Sequence, residues 1–115
     1  MKSELRPARL ERGQIWWVRL DPTVGAEIKK TRPCVILTVE AVSRARRTVT
    51  VLPFSTSAMP RPPLAVALPS AGAQAVAVCD QLRTVDKSRL TRQFGRLSEP
   101  DLRAVEDGVR AVLGL

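Results

Sequence analysis

Apolar residues recur at every second position through most of the first two thirds of the chain, and polar or proline-rich clusters cut that alternation into short pieces. A period of two marks half-buried strands and cannot make a helical stripe. Strands are predicted at about residues 14–20, 33–40, 47–55, 64–68 and 76–81. In the first, the alternation sets Trp16, Val18 and Leu20 on one face and Ile15, Trp17 and Arg19 on the other, so the adjacent tryptophans point apart. One tryptophan fills the core. The other needs cover from a loop, a second subunit or a ligand, with core or subunit contact a stronger reading than base stacking.

The breaks between strands carry their own information. Ser43-Arg44-Ala45-Arg46-Arg47 reads as a compact basic turn with a solvated tip. Thr56-Ser57-Ala58-Met59-Pro60-Arg61-Pro62-Pro63 cannot join a central ladder, because its prolines lack backbone donors, and is expected as an ordered loop. Two helix starts follow. Asp86 can cap a short helix with Val85 packing on Leu90, and Ser98 can cap a longer one with Leu97 packing on Leu102 and Pro100 in the opening turn. The longer helix carries Leu102, Val105, Val109, Val112 and Leu113 along one stripe, with Arg103, Glu106, Asp107 and Arg110 opposite, and is expected to pack on a small barrel.

A length of 115 residues fits one domain, taken to span residues 11–115 behind a loose tail over 1–10. The formal charge of +8 favours polyanionic partners, nucleic acid first and an acidic protein next. No apolar run approaches the roughly 20 residues needed to span a bilayer, and no apolar stretch follows the basic start, so a cytoplasmic protein without membrane association is expected. Cys34 and Cys79 fall in apolar, strand-like segments and read as small buried hydrophobes. The chain has no histidine, which removes Ser-His and Cys-His couples, histidine-ligated zinc and paired imidazoles for acid and base work. Two cysteines alone cannot complete a tetrahedral zinc site. Catalysis, if any, runs on Arg, Lys, Asp, Glu, Ser or Thr.

The loop after the first strand, Asp21-Pro22-Thr23-Val24-Gly25-Ala26-Glu27-Ile28-Lys29-Lys30-Thr31, is too long and polar for a simple hairpin turn and ends on Arg32, held at the mouth of the next strand by Pro33. If the second and third strands pair, Arg32 lies beside Ser55 and Thr56 on one rim. A guanidinium fork and a hydroxyl there suit a phosphodiester, and Glu27 and Asp21 lie within reach on the loop. Taken singly, these residues have ordinary explanations: Arg32 as a surface ion pair, Ser55 as a turn former, Glu27 as a solubilising charge.

Taken together, the segments resemble the MazF/PemK family of toxin endoribonucleases. The resemblance rests on Arg12-Gly13 before a strand with Trp17, on Asp21-Pro22-Thr23-Val24-Gly25-Ala26-Glu27, on Arg32-Pro33, on Pro53-Phe54-Ser55-Thr56 and on Asp80-Gln81-Leu82-Arg83-Thr84-Val85. It implies a mainly β, SH3-like antiparallel barrel with a short helix and a C-terminal α-helix, assembled as a homodimer. It also implies cleavage of single-stranded RNA at short sequences without a metal or other cofactor, and inhibition by a cognate antitoxin through an acidic segment. By motif position Arg32 would be the catalytic arginine, Ser55 would replace the usual threonine and Glu27 would be the carboxylate near the scissile phosphate. Lys29, Lys30, Thr31, Thr56, Trp17 and Gln81 would line the RNA path. The chain departs from the family pattern at Ile28, where glutamine is common, and at Lys29-Lys30, where small residues are usual. Serine at position 55 keeps the hydroxyl but loses the methyl that restrains its rotamer, so activity is expected to survive.

The chemistry implied is attack of the ribose 2′-oxygen on the adjacent phosphorus, leaving a cyclic phosphate and a 5′-hydroxyl. Arginine is a poor proton acceptor, so Glu27 and a bound water have equal claim as base. With aromatic content of only 3%, hydrogen-bonded base reading is expected to exceed stacking. Two rivals stand beside this reading. The gyrase inhibitor CcdB shares the barrel but exposes a tryptophan near its terminus, whereas this chain ends Val112-Leu113-Gly114-Leu115. A non-catalytic RNA-binding barrel would keep the charge without needing Arg32 and Ser55 on one rim.

Overall fold

The computed structural model describes residues 10–115. In chain order it contains β1 (Gln14–Arg19), β2 (Thr31–Ile36), α1 (Glu40–Ala45), β3 (Thr48–Ser55), β4 (Ala65–Ala67), β5 (Val76–Val78), β6 (Arg83–Asp86), β7 (Leu90–Arg96) and α2 (Glu99–Leu113). Single 3₁₀ turns lie at Pro69–Ala71, Cys79–Gln81 and Lys87–Arg89. All pairings are antiparallel, in the order β4-β5-β3-β2-β1-β7, with β6 joined to β3 beside that path. Strand β3 is the hub: Val51 pairs with Ile36 of β2 on one edge and with Arg83 of β6 on the other, while Ser55 pairs with Val76 of β5. Dividing one edge of β3 between two partners coils the sheet round on itself into an SH3-like barrel.

The pleat then sorts the side chains as the alternation requires. Trp16, Val18 and Leu20 join Cys34, Ile36, Val49, Val51 and Val85 in one buried cluster. Ile15 points the other way, with Val35, Leu52, Phe54, Leu68, Ala77 and Cys79, and the stripe of α2 covers this second cluster through Leu102, Val105, Val109 and Val112. Leu113 is half exposed, so the stripe stops one residue earlier than the periodicity suggested. Ser98 caps α2 by accepting from the Asp101 N–H at 3.3 Å, and Gly114 ends it in the left-handed region at φ 73°. A half-buried pair, Arg12 Nη2 to Glu106 Oε2 at 2.6 Å, fastens the helix to the chain entering β1.

The strands predicted at 14–20, 47–55 and 64–68 appear within a residue of those bounds. The second begins earlier, at Thr31, because Arg19 pairs with Thr31, and it ends earlier because Glu40 starts α1. Residues 43–47 are not simply a turn. Ser43 is buried within α1, its hydroxyl donating towards the carbonyls of Glu40 and Leu10 at 3.1 and 3.3 Å, and the exposed basic tip begins only at Arg44. The helix expected at Asp86 is a single 3₁₀ turn: Asp86 accepts from the Ser88 N–H at 2.9 Å, and the hydrogen bonds from Ser88 hold its carboxyl below the usual range. Of the tail expected over 1–10, all but Leu10 lies outside the described residues, and Leu10 itself is buried.

Both cysteines are free and buried, and burial pushes the Cys34 thiol up to about 12 and the Cys79 thiol up to about 11. A thiol so far above neutrality carries almost no thiolate. Neither cysteine is therefore expected to react with a thiol-specific disulfide reagent at pH 7 until the protein is denatured; a fast stoichiometric reaction in the native state would contradict this packing.

Candidate active site

Strand pairing brings the β1–β2 loop back over the end of the barrel. Asp21 staples the loop's two ends, its Oδ1 accepting from Thr23 Oγ1 at 3.0 Å and its Oδ2 from the Lys30 N–H at 3.1 Å. Lys30 takes φ 73°, a turn that aims the chain into β2. Ile28 drops its side chain against the Trp16 cluster, and both its backbone groups are held: the N–H donates to Gln81 Oε1 at 3.1 Å, and the carbonyl accepts from Arg83 Nη2 at 3.1 Å. Glu27 is exposed and folded back, with Oε1 accepting from the Val24 N–H at 2.8 Å.

Arg32 sits half-buried where this loop enters β2. Its Nε donates to the Lys29 carbonyl at 3.1 Å, and among the described residues its two Nη groups make no hydrogen bond. The fork is thereby anchored at its base and open at its tips. It lines a cleft of about 440 Å³ with Trp17, Pro33, Phe54, Thr56 and Phe94, closed on the far side by residues 71–75. A second, more polar cleft of about 710 Å³ lies against the other side of the loop, lined by Glu27, Asp80, Gln81, Arg83 and Arg89 among others.

The sequence-predicted site residues thus fall into two neighbouring groups. Arg32, Thr56 and Trp17 share the first cleft, whereas Glu27 and Gln81 share the second. Ser55 is not among the lining residues of the first cleft. The β2–β3 pairing ends at Cys34 opposite Pro53, two residues short of both Arg32 and Ser55. The Ser55 hydroxyl oxygen accepts from the N–H groups of Ser57 and Ala58, both at 3.1 Å, and lies 3.2 Å from the Ser57 hydroxyl. It shapes the turn that presents Thr56. Lys29, Lys30 and Thr31 are exposed along the loop. The cover over Trp17 comes from β7 of the same chain: the Phe94 ring packs on it at 5.4 Å between centroids, tilted 52°, and the Arg92 guanidinium lies 5.7 Å from the ring centre.

The family model for the PemK-like, MazF-like toxin of type II toxin–antitoxin systems matches residues 11–113. This chain belongs to that family. It is similar to the endoribonuclease PemK of Escherichia coli, with 35% identity over 113 residues covering 94% of this chain and 85% of that one. Its fold is that of MazF from Deinococcus radiodurans, at TM-score 0.85 with 24% identity over 95% of this chain and 100% of that one. A mycobacterial endoribonuclease solved in complex with its cognate antitoxin matches at TM-score 0.77 and 22% identity, over 91% and 95% of the two chains.

Within the PemK/MazF-like frame, the departure at Ile28 has a physical account: an apolar side chain at that point pins the loop to the barrel while Gln81 and Arg83 satisfy its backbone. Sequence reading quoted Arg83 only within the Asp80–Val85 segment and gave neither it nor Arg89 a role in the site. Arg83 braces the loop, and Arg89 Nη1 donates to the carbonyls of Arg19, at 3.0 Å, and of Asp21. Their signal was weak because both lie in short polar stretches without periodicity.

Proposed function

We propose that the chain is a toxin endoribonuclease that cuts single-stranded RNA at a preferred short sequence. The observation that carries this reading is the Arg32 fork, held through Nε, open at both Nη groups and set in a cleft beside Thr56 on a chain of charge +8. A planar pair of donors there fits two phosphate oxygens. The step forms a bond from the ribose 2′-oxygen to phosphorus and breaks the bond from phosphorus to the 5′-oxygen. The 2′ proton passes to water, or to Glu27 once the β1–β2 loop carries its carboxylate across from the neighbouring cleft, and the departing 5′-oxygen takes its proton from solvent water. Arg32 stabilises the charge growing on the phosphoryl oxygens, and the Ser55 turn with Thr56 holds the phosphate in line. Exposed Lys29 and Lys30, with Thr31, extend the positive path for the RNA backbone.

The relative solved in complex with its cognate antitoxin supports an antitoxin as partner. We infer a homodimer acting in the cytoplasm and silenced by an antitoxin whose acidic segment occupies the cationic clefts. Among the described residues no helix is long and apolar enough to cross a membrane.

The experiment is to incubate purified protein with a long unstructured RNA in excess chelator and map every fragment end. Discrete cuts bearing cyclic phosphate and 5′-hydroxyl ends are expected. Uncut RNA retained saturably would replace the nuclease with a binding barrel, and stalled gyrase complexes on DNA would replace it with a gyrase poison.

A further inference from the structure

Phe94 is the one exposed aromatic side chain of the four. It is 47% exposed, lies on the edge strand β7, lines the Arg32 cleft and leans against Trp17, which is itself only half-buried. Arg92, two positions along the same strand, places its guanidinium over the Trp17 ring. The result is an aromatic shelf flanked by cationic groups: Arg92 at the shelf itself and Arg32 in the cleft it borders. Such a shelf resembles a binding surface for a flat, uncharged ring whose attached backbone is anionic. Nucleobases in single-stranded RNA meet that description, since their π-faces stack on aromatic rings while the phosphates track cationic side chains. An acidic peptide satisfies the arginines but leaves the ring without a partner.

From this juxtaposition we propose that Phe94, backed by Trp17, stacks a nucleobase of the RNA strand next to the phosphate held by Arg32, and so sets the base preference at that position. The inference rests on the endoribonuclease reading and deepens it. It runs against the expectation that an aromatic content of 3% leaves base reading to hydrogen bonds, because three of the four aromatic residues line one cleft. Sequence reading missed Phe94 because it sits in Leu90-Thr91-Arg92-Gln93-Phe94, a stretch too polar to announce a strand.

The test compares wild type with Phe94→Ala, Phe94→Leu and Phe94→Tyr. Fragment ends from a long unstructured RNA report base preference. Quenching of tryptophan fluorescence by oligo(dU), oligo(dA) and oligo(dC), which lack the attacking 2′-hydroxyl, reports binding without cleavage. Stacking of one base predicts that Phe94→Ala and Phe94→Leu raise the dissociation constant about tenfold for at least one oligonucleotide and relax the cleavage consensus at one position beside the cut, while Phe94→Tyr retains both. Phe94→Leu preserves apolar volume, so it keeps the test valid if the alanine variant folds poorly. Unchanged binding and an unchanged consensus in Phe94→Leu overturn the proposal. So does conversion of the wild-type oligomer to monomer by Phe94→Leu in light scattering, which makes the shelf a subunit contact. If wild type binds the oligonucleotides through Phe94 but cuts no RNA, the nuclease reading fails while the stacking shelf stands.

Discussion

Arg32→Ala is expected to lower RNA cleavage by about 10²–10³-fold in kcat, the usual loss when one preorganised donor to a developing charge is removed. The melting temperature should hardly move, because the only hydrogen bond the side chain makes among the described residues is Nε to the Lys29 carbonyl. That contrast separates chemistry from folding. Arg32→Lys is informative for the same reason: lysine keeps the charge but replaces the planar fork with a single point donor, so it should recover binding of the anion better than turnover. Glu27→Gln addresses the proton. The amide oxygen can still accept from the Val24 N–H, so the loop's internal hydrogen bond survives while the carboxylate base is lost. A large fall in kcat in Glu27→Gln assigns the 2′ proton to the carboxylate, and an unchanged rate assigns it to water. Single-turnover cleavage with circular dichroism melts measures all three variants. Wild-type kcat in Arg32→Ala would remove the arginine from the mechanism altogether.

How far the sequence reveals the molecule depends on where burial enforces a pattern. Strands β1, β2 and β3 are packed on both faces, so every residue from Ile15 to Val18 is under a burial constraint and the stretch reads as a continuous apolar run that the pleat then divides between two clusters. Trp16 and Trp17 could be sent to opposite faces on that ground alone. By contrast, β6 buries only Val85 and β7 buries none of its residues fully, so neither carries an alternating signal, although each is held by backbone pairing to a strongly patterned neighbour. The site shows the same division. Arg32 was legible because Pro33 and an apolar strand follow it. The allocation of Glu27 and Gln81 to a different cleft was not, because it depends on Ile28 docking into the core and on Arg83 reaching across from β6, contacts between residues more than 50 positions apart. Ser55 illustrates a further limit: its residue type announces a hydroxyl, but only the turn geometry shows that hydroxyl accepting from Ser57 and Ala58.

Gly108→Ala should destabilise the protein, opposite in sign to the gain of about 1 kcal/mol that alanine gives over glycine in a helix interior. Gly108 is buried on the face of α2 that meets the barrel, where an added Cβ would lie 2.6 Å from Cys79 Sγ and 2.9 Å from the Pro63 carbonyl oxygen. The sulfur can turn aside at some cost. The carbonyl belongs to backbone and cannot. Overpacking of this kind costs about 1–3 kcal/mol, enough to outweigh the propensity gain, and in a domain this small each kcal/mol lowers the melting temperature by about 5 °C. Gly108→Val, with more volume and a poorer helical rotamer, should lose more. Cys79→Ala on the Gly108→Ala background should recover part of the loss, with a coupling of about 0.5–3 kcal/mol in the double-mutant cycle, because it removes the nearer of the two obstacles and leaves the carbonyl. The strain has a route to function. Cys79 opens the 3₁₀ turn that ends at Gln81, and Gln81 accepts the Ile28 N–H that pins the β1–β2 loop. Amide exchange at Ile28 should therefore quicken in Gly108→Ala at temperatures where the protein is still folded. A variant as stable as wild type, with Ile28 equally protected, would mean that helix and barrel do not approach each other this closely.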